Sequence, residues 1–149
     1  MDRKAASVLK RLNKLSVTLT FLTVRQRVFF VPSIMTFLKE PTAENWCEVQ
    51  SNIRTTINIC TELLETLQDT RLGIASKGFF GDLVLCVMQR QRSLREFLNM
   101  PQPSTSAELR ALKDYIDGYP VLLNTLDKAN AALNAFLDAR GIKSPTLTN

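Results

Sequence analysis

The segment TAENWCEVQSNIRTTINICTELLETLQDTR, which runs from Thr42 to Arg71, decides the fold class. Its core-type residues recur at alternating intervals of three and four, which places them along one face of a helix: Trp46, Val49, Ile53, Thr56, Cys60, Leu63 and Leu67. Thr42 suits the N-cap position, and Glu44 lies in the first turn, where the helix dipole favours negative charge. We therefore predict a helix of about seven turns that ends near Arg71, ahead of Gly73.

The residues before this segment predict another amphipathic helix, from residue 3 to the mid-twenties. Its apolar face would carry Ala5, Val8, Leu9, Leu12, Leu15, Leu19 and Leu22. The stretch VFFVPSIMTFL, from Val28 to Leu38, is densely apolar and contains Pro32. Because proline fits the first turn of a helix and disrupts an interior, Pro32 either starts a short helix that reaches about Lys39 or kinks a continuous one.

The residues after the segment begin with LGIASKGFFG, residues 72–81, whose three glycines predict a loop. Asp82 suits the N-cap of a following helix that reaches about Met100. The inward face of this helix would carry Leu83, Val84, Val87, Leu94 and Leu98. Residues 101–104, PQPS, then break the chain.

The C-terminal third predicts two further helices. Thr105 and Glu108 fit the S/T-x-x-E capping box, which starts a helix that passes through Ile116. The triplet GYP at residues 118–120 ends or kinks this helix. The last helix would carry Leu122, Leu126, Ala129, Leu133, Phe136 and Leu137 inward, ahead of a glycine stop at Gly141.

Together these patterns predict an all-α fold, an antiparallel helical bundle of four main helices plus one or two short helices. The chain of 149 residues is long enough for one hydrophobic core. We therefore expect a single domain over residues 1–141 and a flexible tail over residues 142–149.

The charge of the chain is strongly polarised, although its net value is only +5. Residues 1–39 hold eight basic residues against Asp2 alone, a net charge of +7. Residues 40–70 hold six acidic residues against Arg54 alone, a net charge of −5. Residues 71–95 return to +4, with five basic residues against Asp82. The total therefore conceals a basic N-terminal quarter that is followed by an acidic helix.

Five cations of the first predicted helix share one face, within an arc of about 120°: Arg3, Lys4, Lys10, Arg11 and Lys14. No acidic residue is interleaved with them, whereas a face that is merely solvated usually mixes charges for i,i+4 pairing. Such a face suits a polyanion, an acidic protein surface or an anionic membrane. The alternatives are a solvated outer face, or pairing with the acidic helix of the same chain.

Two clusters of Arg and Gln, at residues 25–27 and 89–95, add cations that suit phosphate contacts. The complete candidate set for contact with a nucleic-acid backbone is Arg3, Lys4, Lys10, Arg11, Lys14, Arg25, Arg27, Arg90, Arg92 and Arg95. Because no base-reading motif accompanies these residues, binding would be weakly sequence-specific and steeply dependent on salt.

The chain contains no histidine, which excludes Ser-His-Asp and Cys-His catalysis and His-bearing zinc or haem sites. Phosphate-loop, dinucleotide, zincin and nucleophile-elbow motifs are absent from the sequence. Cys47, Cys60 and Cys86 are too widely spaced for a CxxC motif and too few for a disulfide framework. We therefore expect a cytoplasmic, non-enzymatic protein with no cofactor and no bound metal.

The function that these patterns favour is a small non-catalytic subunit or adaptor that docks in a larger assembly and contacts nucleic-acid phosphate through its N-terminal basic face. One alternative is a protein–protein interaction module of the immunity, inhibitor or chaperone type. That module would use the acidic 40–70 face or an exposed ring of Phe29-Phe30 or Phe79-Phe80. Another alternative is a bundle that binds an anionic membrane surface through its basic amphipathic helix.

Overall fold

The computed structural model describes residues 3–67 and 77–139, and its side chains over 10–67 and 82–139 with Phe136 excepted. Every regular element of these residues is a helix, which confirms the all-α class. The order is α1 (Arg3–Arg25), a π-helical turn (Gln26–Phe30), α2 (Val31–Lys39), α3 (Ala43–Leu67), α4 (Lys77–Leu98), α5 (Ser106–Asp117) and α6 (Tyr119–Asp138). The predicted tail over residues 142–149 lies outside the described residues.

The four long helices α1, α3, α4 and α6 form an antiparallel bundle. Polar side chains tie α1 to α3 and α6 in antiparallel register, by joining Lys14 to Glu62, Arg25 to Asn52, Ser16 to Asn134 and Arg27 to Asp127. Gln91 of α4 donates to Thr61 of α3, while Phe97 packs on Trp46, so α3 and α4 are also antiparallel. α1 therefore lies diagonally opposite α4, and the seam between α4 and α6 has the fewest contacts of the four.

The predicted inward faces of α1 and α3 form the core. Leu12, Leu15, Leu19 and Leu22 are buried, and so are all seven residues that the spacing of α3 selects. Each fully buried leucine of this kind contributes about 1.5–3 kcal/mol of transfer free energy. The positions Ala5, Val8 and Leu9 lie outside the described side chains.

Pro32 lies in the first turn of a short helix that ends at Lys39, which confirms the first of the two predicted alternatives. The chain continues from α1 through the π-helical turn into α2, where Pro32 occupies the first turn. Proline has no N–H and its ring crowds the carbonyl four residues earlier, so a continuous α-helix would be disrupted at this position. The π-helical turn resolves the conflict because Val31 donates to the carbonyl of Gln26, five residues back, which widens the helix just before the proline.

The predicted caps of α3 and α5 are confirmed, whereas the predicted start of α4 is wrong. The Thr42 hydroxyl accepts from the amide of Asn45, and Thr105 and Glu108 form a complete capping box. α4 begins at Lys77 instead of after Asp82, so part of the predicted loop is helical. Glycine lowers helix stability by about 1 kcal/mol relative to alanine but keeps its backbone hydrogen bond, and no proline interrupts this stretch.

The predicted inward position of Leu122 is also wrong. Its side chain is 44% exposed, whereas Leu123 is buried. Tyr119, buried at the first position of α6, sets the phase of the helix and turns Leu122 to the edge of the apolar face. This edge lies at the α4–α6 seam, where few side chains are available to cover it.

Candidate functional site

The main candidate site is an apolar groove of about 650 Å³ between α2, α5 and the start of α6, which we call the α2–α5 groove. Its floor and walls are formed by Val31, Met35, Leu38, Leu109, Ile116 and Pro120. Met35 is 50% exposed although it lies in the middle of an apolar helix. A cleft of this size and lining is typical of a binding site and is uncommon as bare surface.

The rim of the groove is basic. Lys39, Arg110, Lys113 and Asp117 surround the apolar floor. Lys113 pairs with Asp117, with Nζ and Oδ2 3.1 Å apart. Among the described residues no carboxylate lies within ion-pair distance of Lys39 or Arg110. The rim therefore has two cations available for an acidic partner.

The local sequence explains why the groove stays open. α2 is held in place by the burial of Ile34 and Phe37, which leaves Met35 on the opposite side. α5 contains only 12 residues, and it buries Leu112 and Ile116 while Leu109 is only partly covered. Because α5 turns into α6 at Gly118 without any intervening loop, no connecting segment between these two helices is available to cover the space beside α2, and none of the other described residues fills it.

The cations of α1 that the sequence selects as a phosphate-binding face are only partly described. Lys10 is exposed, and Lys14 is 58% exposed with its Nζ 3.8 Å from Glu62 of α3. Arg11 is half-buried and has a partner within the structure. The side chains of Arg3 and Lys4 lie outside the described part of the chain.

The remaining candidate cations are distributed over several faces. Arg25 is half-buried, donates to Asn52 at 3.0 Å and stacks on Phe29. Arg27 pairs with Asp127 of α6 at 2.8 Å. Arg92 and Arg95 are exposed on α4, which lies diagonally opposite α1. The candidate set therefore does not form one continuous surface in the described structure.

Arg90 is the exception, because it is not on the surface at all. Its side chain is only 8% exposed, and its Nη2 donates to the Tyr115 hydroxyl at 3.3 Å. Its guanidinium also lies 5.1 Å from the centre of the Tyr119 ring. This burial separates Arg90 from Arg92 and Arg95, the exposed cations of the same predicted cluster. Residue 90 lies three positions after Val87 and four before Leu94, so the helical spacing of α4 already places it on the inward face, although its charge favours the surface.

Six aromatic rings, with adjacent centroids 5.0 to 5.9 Å apart, form the interior beside Arg90. They are Phe30, Phe37, Trp46, Phe97, Tyr115 and Tyr119. The Tyr119 hydroxyl donates to the buried side-chain carbonyl of Gln26 in the π-helical turn. Gln26 in turn donates to the carbonyl of Leu22. As the sequence predicts, the Phe29-Phe30 pair has one exposed ring, Phe29, and one buried ring, Phe30.

Burial controls the titration of the groups that surround Arg90. Desolvation raises the pKa of the Cys60 thiol from 9.0 to about 12, against the opposing effect of Arg90 and Arg95. Desolvation also raises the pKa values of Tyr115 and Tyr119, again opposed by Arg90. All three groups are therefore neutral at physiological pH. Cys60 is the small buried hydrophobe that its sequence context predicts.

We expect the free energy of unfolding to fall as the pH rises above about 9, because Cys60 binds its proton more tightly in the folded state. The Cys60 contribution is complete below the unfolded pKa of 9.0 and is lost as the pH approaches 12. By about pH 11 the loss of stability from Cys60 amounts to about 2–3 kcal/mol, and the tyrosines act in the same direction above about pH 10. Urea titrations at several pH values measure the loss. Cys60→Ala should reduce it, and a stability that is constant over this range would contradict the expectation.

Comparison of the chain with protein-family models, with curated proteins and with solved structures returns no match. Within the described residues no cluster of His, Cys, Asp and Glu side chains has the arrangement of a metal site. In the same ranges no helix combines the length and the apolar character that crossing a bilayer requires. The α2–α5 groove and the interior around Arg90 are thus the features from which function is inferred.

Proposed function

We propose that this chain is a non-catalytic helical adaptor, which binds an acidic amphipathic helix of a partner protein in the α2–α5 groove. The observation that carries the proposal is the combination of an open apolar floor with a net basic rim. An amphipathic helix docks in such a groove by placing residues i, i+3 or i+4 and i+7 on the floor. Its flanking acidic residues would then meet Lys39 and Arg110.

The dimensions of the groove suit a short helical segment. α5 has 12 residues, which corresponds to a length of about 18 Å and to three turns of a docked helix. Three apolar anchors of that helix would each gain about 1.5–3 kcal/mol on burial. Part of this gain offsets the translational and rotational entropy that the peptide loses on binding, so we expect affinities in the micromolar range for the isolated segment.

A selection from a library of displayed helical peptides tests this function directly. We expect the wild-type chain to enrich peptides with an apolar stripe at helical spacing and with Glu or Asp beside it. Met35→Glu places a carboxylate on the groove floor at an exposed position, so it should abolish the enrichment without unfolding the chain. Val121→Glu, at a site that is 71% exposed and does not line the groove, is the matched control. Enrichment of basic peptides, or enrichment that survives Met35→Glu, would contradict the proposal.

Contact with nucleic-acid phosphate is the second candidate function, and it is supported by one observation. Lys10 and Lys14 are both exposed and stand one turn apart on α1, the same helix that carries Arg3 and Lys4. If this candidate is correct, the affinity for a labelled DNA duplex, measured by fluorescence anisotropy, should fall steeply as the salt concentration rises. At a fixed salt concentration, Lys10→Glu/Lys14→Glu should lower this affinity more than Lys128→Glu does. If the duplex does not bind at low salt, this candidate is excluded.

Binding to a membrane surface has less support from the fold. The apolar face of α1 that would enter the lipid is the face that carries Leu15, Leu19 and Leu22, and all three are completely buried. Releasing α1 would expose these side chains together with their partners on α3 and α6. The free energy that membrane insertion would have to supply is therefore comparable to that of opening the bundle.

A further inference from the structure

Arg90 is a buried cation whose charge is not balanced within the described part of the chain. No carboxylate of those residues lies within ion-pair distance of its guanidinium. Its Nε–H is buried and has no acceptor. A guanidinium stays protonated in proteins, and burying a charge without a counter-charge costs several kcal/mol.

The groups that contact Arg90 compensate for only part of this cost. The Tyr115 hydroxyl accepts one hydrogen bond, and the Tyr119 ring provides a cation–π contact. Because burial keeps Cys60, Tyr115 and Tyr119 protonated, none of them supplies a negative charge at neutral pH. The described residues therefore provide no anion to balance the charge of Arg90.

A pocket of about 260 Å³ adjoins Arg90 at the seam between α4 and α6, and we call it the Arg90 pocket. Polar side chains of Gln89, Ser93 and Thr125 line it, together with the Tyr115 ring. Its apolar lining comes from Cys86, Leu122 and Leu126. It shares no lining residue with the α2–α5 groove, so it is a separate site.

We propose that the Arg90 pocket binds a small monocarboxylate that has an apolar body. The carboxylate would pair with the Arg90 guanidinium at the pocket wall, and the hydroxyls of Ser93 and Thr125 are additional hydrogen-bond donors there. The apolar body would contact Leu122 and Leu126. Among the described residues that line the pocket, Arg90 alone is charged, so a ligand with one negative charge is matched and a phosphate dianion is not. The volume admits a ligand of roughly the size of benzoate.

Thermal unfolding in the presence of benzoate and of benzamide tests the proposal, because the two probes have the same shape and differ in charge. Benzoate at about tenfold its Kd should raise the Tm of the wild-type chain by about 3 °C in a saturable manner. Benzamide at the same concentration should have no effect. Arg90→Met removes the charge and keeps an unbranched, apolar side chain in place of the aliphatic part of arginine, and we expect it to abolish the benzoate shift. The matched control Arg92→Met, on the exposed side of α4, should keep the shift.

A second variant keeps the test decisive if Arg90→Met does not fold. Ser93 is exposed at the pocket, so Ser93→Phe should fill the pocket without entering the core. It should remove the benzoate shift and leave the Tm of the free protein nearly unchanged. Equal shifts with benzoate and benzamide, equal shifts with benzoate and inorganic phosphate, or no shift with benzoate would each overturn the proposal.

Discussion

Replacing Tyr119 with alanine is expected to destabilise the fold by about 3–5 kcal/mol, which corresponds to a fall in Tm of about 6–20 °C. Tyr119 is completely buried at the first position of α6. Its ring packs on Phe30 at 5.5 Å and on Tyr115 at 5.6 Å. Alanine would leave a cavity at this point, and the side-chain carbonyl of Gln26 would lose its hydrogen-bond donor. Urea or thermal unfolding measures the effect.

Two further substitutions separate the contribution of the ring from that of the hydroxyl. Tyr119→Phe keeps the ring and removes only the donor to Gln26, so we expect a loss of about 1–3 kcal/mol. Adding Gln26→Met removes the side-chain carbonyl that has lost its donor. The destabilisation of the double variant should therefore be smaller than the sum of the destabilisations of the two single variants. A Tyr119→Ala protein that lost less than about 1 kcal/mol would contradict this role for Tyr119.

Reversing the charge of the groove rim is expected to reverse its choice of partner. In the variant Lys39→Glu/Arg110→Glu, binding of an acidic helical peptide obtained from the selection should weaken about 10- to 30-fold at about 0.1 M salt, where the Debye length is about 10 Å. The same peptide with its Glu residues replaced by Lys should bind the variant better than the wild type. This exchange is expected because both rim cations are without ion pairs among the described residues, so reversing them breaks no internal contact.

The matched control for the rim is Lys10→Glu/Lys14→Glu, which changes the charge of the chain by the same amount at α1. It should leave the affinity for the acidic peptide within about twofold, since α1 lies outside the groove and rim charges act over about one Debye length. Equal weakening by both double variants would show that only net charge matters, and it would contradict a role for the groove.

Much of the fold could be predicted from periodicity. The apolar spacing of α1 and α3 selects buried side chains correctly, and the caps at Thr42 and Thr105 mark two helix starts. These signals are local, since each depends on residues three or four positions apart. The start of α4 and the exposure of Leu122 could not be predicted in this way, because both depend on how α4 and α6 pack against other helices.

The candidate site could be predicted from the sequence much less well than the fold. The α2–α5 groove is formed by residues from three elements, and no motif links Met35 to Leu109. The amphipathic pattern of α5 indicates which side of this helix packs inward. It does not indicate that α2 lies far enough from α5 to leave a groove between the two helices. Arg90 shows a different failure, because its spacing from Val87 and Leu94 predicts the inward face of α4 but its charge was given more weight than this periodicity.

The most direct test of the adaptor function is a titration of the ¹⁵N-labelled chain with the selected acidic peptide, followed by amide chemical-shift changes. We expect the largest changes at residues of α2 and α5 that line the groove, from Val31 to Lys39 and from Leu109 to Asp117. The amide chemical shifts of Lys10 and Lys14 on α1 should change little. Changes that concentrate on α1 or on α4, with the groove amides unmoved, would contradict the proposed function.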